Sequence, residues 1–219
     1  WMRGLQTAKF RPGTQRGQRF VEGSWLTPME NGYSRAIPIR CLPAFTAKSV
    51  PCRAVTPRTE VAAGLMHLDW IRQQMDQAGR QGQTLITLND GSYDTLKFWP
   101  GLPDRTIGLV RTARNRCLYE LPAEDAHGNR KYGEKAPAPY TWLKKRKGFQ
   151  YQDVMVRGRV RTMRYRVEGP YVRDELPDIP LFLIVIGLSQ VLRPEESRQL
   201  LSGSIFLIIG GLFMLNNMH

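Results

Sequence analysis

Cysteine is scarce. Cys41, Cys52 and Cys117 make an odd total of three with no Cys-x-x-Cys pair, and His67, His127 and His219 stand far from them in sequence. This argues against a disulfide framework and a Cys/His zinc site, and makes a reducing cytoplasm the expected compartment. Each cysteine is expected to act as a small buried hydrophobe. Long apolar runs are missing too. A membrane-spanning helix needs about 20 apolar residues, and the stretch from Ile205 to Leu215, built around Gly210-Gly211, falls short. It is expected to be a buried helix or a tail created by a frame change. Residues 1–20 are polar and basic with no apolar centre, so no secretory signal is read there. The first residue is Trp1 and not an initiator methionine, so the sequence is expected to start inside a longer reading frame.

Positive charge is in excess. Thirty-two Lys and Arg against 19 Asp and Glu give a net charge of +13. The sequence pI near 10.1 makes a polyanion the first partner to consider. Ribosomal, nucleoid and membrane-surface proteins share this balance. A hydrophobic content of 42% supports a packed core and argues against a disordered basic tail. For 219 residues the length suggests one or two domains, and one interrupted domain fits better.

The most informative run is Gln83 to Asp94. Leu85, Ile86 and Leu88 read as a buried central strand, and Asp90-Gly91 is turn chemistry that would stop it. The carboxylate would then stand at the C-terminal end of the strand and face an open groove, where open α/β sheets place ligands. Before it, Val61, Leu65, Leu68, Ile71, Met75 and Ala78 recur at helical spacing from Thr59 to Ala78, with Pro57 and Gly79 as boundaries. Glu60, Arg72, Gln73, Asp76 and Gln77 form the expected solvated side, and His67 and Asp69 are read as surface polar residues. Arg105 to Arg111 should be the next strand. Further strands are read near Gln18 to Ser24, at Ser34 to Arg40 on an edge because of Pro38, and at Pro180 to Gly187, buried on both faces. Pro43, Pro51 and Pro57 mark a connecting stretch, Pro122 to Pro139 a long loop, and Pro194 to Leu201 a short helix.

A basic segment follows the loop. Lys144, Lys145, Arg146 and Lys147 precede Val154 to Arg161, read as one strand with Arg157, Arg159 and Arg161 on one face and Val154, Val156 and Val160 on the other. Arg164 and Arg166 have the opposite parity, so a bulge near Thr162 is needed if all five arginines are to share a face. Such a comb suits phosphates, because each guanidinium can grip one through two donors. A solvated edge strand kept unpaired by charge is the alternative.

Several words occur in order around these features. They are Phe10-Arg11-Pro12-Gly13, Gln18-Arg19-Phe20, Ser24-Trp25-Leu26-Thr27-Pro28, Gly32-Tyr33-Ser34-Arg35-Ala36-Ile37-Pro38 and Leu42-Pro43-Ala44-Phe45. Then come Asp90-Gly91-Ser92-Tyr93-Asp94-Thr95, Phe98-Trp99, Gly101-Leu102-Pro103, Val110-Arg111-Thr112-Ala113-Arg114-Asn115-Arg116 and Leu118-Tyr119-Glu120-Leu121-Pro122. As an ordered set, from about Phe10 to Gly187, they resemble the central part of DDE-type transposases of bacterial insertion sequences.

The resemblance implies an α/β fold with an RNase-H-like mixed sheet, flanking helices and a β-rich basic insertion. Residues 1–121 would be a partial core, 122–179 the insertion, 180–187 a returning core strand and 188–219 a divergent tail. It implies DNA cleavage and strand transfer in the parent family, with three acids holding two Mg²⁺ ions that activate the nucleophile and stabilise the leaving oxygen. The family's second acid falls on Asp90, as catalytic and metal-binding residue. The first would lie before Phe10, and the third on a helix after Gly187 in a Tyr, Arg, Glu and Lys signature that this sequence lacks. Glu195 and Glu196 are read as a solvated helix start, and Asp94, Asp104 and Glu168 as turn or surface-pairing residues. The expectation is an inactive transposase fragment that contacts DNA, with a possible homo-oligomer on DNA, through Lys144, Lys145, Arg146, Lys147, Arg157, Arg159, Arg161, Arg164 and Arg166. The alternatives are a non-catalytic DNA-binding protein, or a membrane-associated basic protein using the tail after Ser202.

Overall fold

A computed structural model describes residues 2–3, 14–15, 19–45, 56–123, 131–145, 147–156, 158–188 and 205–210. The architecture is mixed α/β, with sheets and few helices. Strands β1 (Met2–Arg3) and β2 (Thr14–Gln15) pair with each other. Strands β3 (Arg19–Leu26) and β4 (Ala36–Ala44) form a second antiparallel pair. Strand β4 runs through Pro38 and on through Pro43, further than the sequence reading. Both prolines are tolerated because β3 is the only strand paired with β4 among the described residues.

Helix α1 (Glu60–Gln77) forms where the apolar period of 3.6 lies. Its N-cap is Thr59, whose side chain accepts from the Ala62 amide at 3.2 Å. Two residues read as solvated are instead buried on it. His67 Nε2 lies 2.9 Å from the Val21 carbonyl of β3. Arg72 donates to the Gln83 and Arg80 carbonyls at 2.6 and 2.9 Å and to Asp76. Buried polar groups are retained when they are paired in this way, and here the partners are mostly backbone oxygens.

Strand β5 (Leu85–Asn89) follows, then β6 (Thr106–Arg111), parallel to it in register from Leu85↔Thr106 to Asn89↔Val110. Next come β7 (Tyr119–Glu120), α2 (Pro139–Lys144), β8 (Gln150–Val156), β9 (Arg159–Arg173), β10 (Leu176–Leu188) and β11 (Ile205–Gly210). The large sheet has seven strands in the order β5-β6-β11-β10-β9-β7, with β8 on β9. Its other pairs are antiparallel. Its core is built on Val110, Leu118, Leu181, Leu183 and Val185, with Phe98 and Trp99 packed against them.

Further sequence readings change. Among the described residues strand β5 lies at the edge of the sheet and not in its centre, and of its apolar residues only Leu85 is buried, while Ile86 and Leu88 are 61% and 60% exposed. Residues 205–210 form a strand between β6 and β10 where a helix was expected. Strand β10 begins at Leu176, before the strand start expected at Pro180, and pairs with β9 with register shifts between Leu176 and Leu181 and between Leu181 and Leu183. On β10 one face is fully buried, through Leu181, Leu183 and Val185, and the other is half-buried. Cys41 is exposed and Cys117 half-buried. Cys52, His127, His219, the helix expected at 194–201 and Glu195 and Glu196 lie outside the described residues.

Candidate functional site

Asp90 follows the last residue of β5 and starts a 3₁₀ turn, Gly91–Tyr93. Its Oδ1 accepts from the Ser92 amide at 2.8 Å, as short acids do at such caps. The Ser92 hydroxyl lies 2.6 Å from Asp90 Oδ1 and 3.2 Å from Glu60 Oε1. Its single proton serves one carboxylate at a time. Glu60 Oε2 in turn accepts from Arg19 at 2.6 Å. The first turn of α1, the start of β3 and the end of β5 therefore meet at this point. Below them Tyr93 is buried, and its phenol is pushed up to about 12, first by burial and then by the charges of Glu60 and Asp90.

These residues sit at one end of a groove of about 1100 Å³. Strands β3 and β5 form its walls, and Gly64, His67, Leu68, Ile71 and Met75 of α1 form its floor. The neighbouring carboxylate Asp94, read as a surface or turn residue, is buried. Its Oδ2 accepts from Thr112 at 2.6 Å and Arg116 at 2.7 Å, and its Oδ1 from Arg173 at 2.8 Å. Asp94 is thus structural.

A two-metal centre needs several carboxylate oxygens converging on each ion. Glu60 and Asp90 approach each other through Ser92, but Glu60 is already paired with Arg19. Among the described residues no three His, Cys, Asp or Glu side chains come close enough to hold a metal ion. Among the described residues Glu60 and Asp90 are the acids brought together here, and no reaction step is derived through a metal.

The basic segment is a hairpin and not a single strand. Val156 pairs with Arg159, and the register runs without a shift from there to Gln150↔Tyr165. Gly158, at φ 70°, supplies the turn conformation that other residues avoid. Directly opposed residues share a face, so Val154 lies on the face of Arg161, to which it is paired. Val160 lies on the other face and is 65% exposed. The apolar backing expected behind the arginines is therefore not formed as read.

No bulge occurs near Thr162, so Arg164 and Arg166 turn away from Arg159 and Arg161. They pack on aromatic rings. The Arg166 guanidinium lies 4.5 Å from the Trp142 ring centroid and 5.4 Å from that of Phe149, pairs with Glu168, and donates to the Lys147 carbonyl at 3.0 Å. Arg164 lies 4.8 Å from the Phe149 centroid. Such stacking is worth roughly 0.5–2 kcal/mol per pair and keeps both groups from reaching a phosphate freely.

Arg159, Arg161 and Lys147 are exposed. So are Lys144 and Lys145, with their ammonium groups 4.3 Å from the Tyr140 centroid and 3.6 Å from that of Trp142. Arg146 and Arg157 lie outside the described residues. Sequence reading missed Glu60 and Ser92 as neighbours of Asp90, and Trp142 and Phe149 as the platform for the arginines. Only the aromatic spacing within a basic run hinted at the second pair. No protein-family model, curated protein or solved structure matches the chain. Among the described residues, no helix is long and apolar enough to cross a membrane.

Proposed function

We propose that the chain is a fragment of a DDE-type transposase of bacterial insertion sequences, carrying part of an RNase-H-like core, and that residues 1–219 bind DNA without cutting it. One observation carries this reading. Helix α1 leads to β5, Asp90 directly follows β5, and β6 runs parallel to β5, so the acid stands at the C-terminal end of a parallel pair and lines the groove above α1. Ligand sites of open α/β sheets lie at such ends. The net charge of +13 and the exposed cations of the β8–β9 hairpin support a DNA partner.

Cleavage by residues 1–219 is not expected, because among the described residues the acid brought to Asp90 is Glu60, which is itself paired with Arg19. The test is a supercoiled-plasmid assay with the purified chain in Mg²⁺ or Mn²⁺, beside the Asp90→Asn variant. The expected result is no nicking or joining by either protein. Metal-dependent nicking that vanishes in the variant would show that this chain holds a complete catalytic centre.

A second reading, a non-catalytic DNA-binding protein, is favoured by the place of the exposed cations on the β8–β9 hairpin, with β6, β11 and β10 between β9 and the strand that leads to Asp90. The reading frame upstream of Trp1 distinguishes the two. An apolar strand ending in Asp there supports the transposase, and its absence supports the second reading.

A further inference from the structure

The two faces of the β8–β9 hairpin differ in what they touch. Opposed residues share a face, and the face of Asp153, Met155, Thr162, Arg164 and Arg166 is engaged by the protein itself. Asp153 accepts from the Thr162 hydroxyl at 2.7 Å. Arg164 lies over the Phe149 ring and Arg166 over that of Trp142. Gly32, in the turn between β3 and β4, sits so close to Met155 that an added Cβ would lie 2.6 Å from its Cγ. The other face carries Gln150, Gln152, Arg159 and Arg161, all exposed. Among the described residues none of these four side chains has a hydrogen-bond or ion-pair partner.

Both charges on this free face are positive, in a chain of net charge +13, so its complement is an anion. The neighbours of the arginines narrow the class. A single nucleic-acid strand is held by rings on which its bases stack, and the one ring on this face, Tyr165, is half-buried. Two glutamine amides stand there instead, and such an amide matches the N6 donor and N7 acceptor of adenine in the major groove. Paired strands lie about 4.8 Å apart, so a two-stranded ribbon enters the B-DNA major groove, about 12 Å wide, and is shut out of the deep, narrow major groove of duplex RNA. Alternate residues of a strand are about 6.7 Å apart, close to two base-pair steps of about 3.4 Å.

We propose that the β8–β9 hairpin enters the major groove of duplex DNA as a ribbon with this face toward the bases. Gln150 and Gln152 each take an adenine, two base pairs apart. Arg159 and Arg161, nearer the turn at Gly158, hold phosphates at the groove wall. The arginines supply affinity for any duplex, and the glutamines supply sequence selection. The packed face holds the ribbon in position, through Gly32 against Met155 toward the turn and Arg166 on Trp142 at the far end. The inference rests on the reading that the chain binds DNA.

The test is selection by the full 219-residue chain from short duplexes randomised at their central base pairs, followed by a salt series on the selected duplex. Enrichment of two adenines, two base pairs apart, is expected. Gln150→Ala and Gln152→Ala should each abolish one preference and weaken binding to the selected duplex at least about fivefold, with the salt slope and the melting temperature unchanged. Deazaadenine at the same two positions, which removes the N7 acceptor and leaves the minor groove as it was, should weaken binding as much and requires no change in the protein. Duplex RNA of the same sequence should compete at least about tenfold more weakly. Salt-sensitive binding without base preference would overturn the proposal and leave the DNA-binding reading standing, as would a preference that survives both glutamine changes or the deazaadenine. Equal competition by the RNA would overturn the groove assignment. Failure to bind any duplex would overturn both readings.

Discussion

Arg173 reaches Asp94 across 79 residues of chain, its Nη1 donating to Asp94 Oδ1 at 2.8 Å. The Asp94 side chain is only 1% exposed, and Arg116 holds its other oxygen. Burial draws the Arg173 guanidinium below its ordinary pKa, with the Asp94 charge opposing that and Arg116 adding to it. The pair ties the end of β9 to the turn after β5. Asp94→Ala leaves two arginines facing an empty site. A loss of about 3–5 kcal/mol in unfolding free energy is expected, the usual result of removing one partner from a buried ion pair. Urea denaturation of the two proteins measures it.

The two arginine pairs of β9 are expected to behave differently toward DNA. Each phosphate contact contributes about 0.9 to the slope of log affinity against log salt. Arg159→Ala with Arg161→Ala should therefore flatten that slope by about 2 while leaving the melting temperature nearly unchanged. Arg164→Ala with Arg166→Ala should lower the melting temperature and leave the slope within about 0.5 of the parent. A salt series on both double variants separates the exposed face from the stacked one.

Gly64 passes so close to Tyr93 that an added Cβ would lie 2.3 Å from the ring's Cε1. Tyr93 is held in turn against Phe98, with ring centroids 5.5 Å apart. Gly64→Ala is expected to cost about 1–3 kcal/mol through overpacking. In a Tyr93→Leu background the same change should cost much less. A double-mutant cycle on thermal stability reads the difference.

Tyr93 also sets an alkaline limit. Its folded pKa is about 12, above the unfolded value of 10.0. Between these values the unfolded chain has released the phenolic proton and the folded chain still holds it. The contribution is thus complete below pH 10 and is lost as pH rises toward 12. The parent is expected to lose stability over that window more steeply than Tyr93→Phe, by chemical denaturation at each pH.

Helix α1 was legible because its apolar residues keep a period of 3.6 over 18 residues and Thr59 is a good cap. The end of β5 was legible from Asp90-Gly91, but its edge position was not, because an apolar run reports hydrophobicity and not the number of neighbouring strands. His67 and Arg72 were misread for a different reason. Their partners are the carbonyls of Val21, Arg80 and Gln83, which carry no side-chain pattern. In the basic segment the alternation of valine and arginine from Val154 to Arg161 hid Gly158, and the hairpin turn at that glycine reverses which residues share a face. Residues 205–210 were ambiguous in principle, since a short apolar run suits a helix or a strand equally. The approach of Glu60 to Asp90 depends on how α1 packs, which local pattern does not encode.

Strand β11 has a consequence for the order of events during synthesis. It lies between β6 and β10, and these two have no ladder of their own in the large sheet. The β5–β6 pair and the β8–β9–β10 meander can each form early from local contacts, but their edges stay apart until residues 205–210 have left the ribosome. Until then the apolar flank of β10 waits without the strand that covers it. A late, long-range closure of this kind is slow and exposes the nascent chain to aggregation. Nascent chains arrested before residue 205 should therefore be the ones that chaperones hold longest.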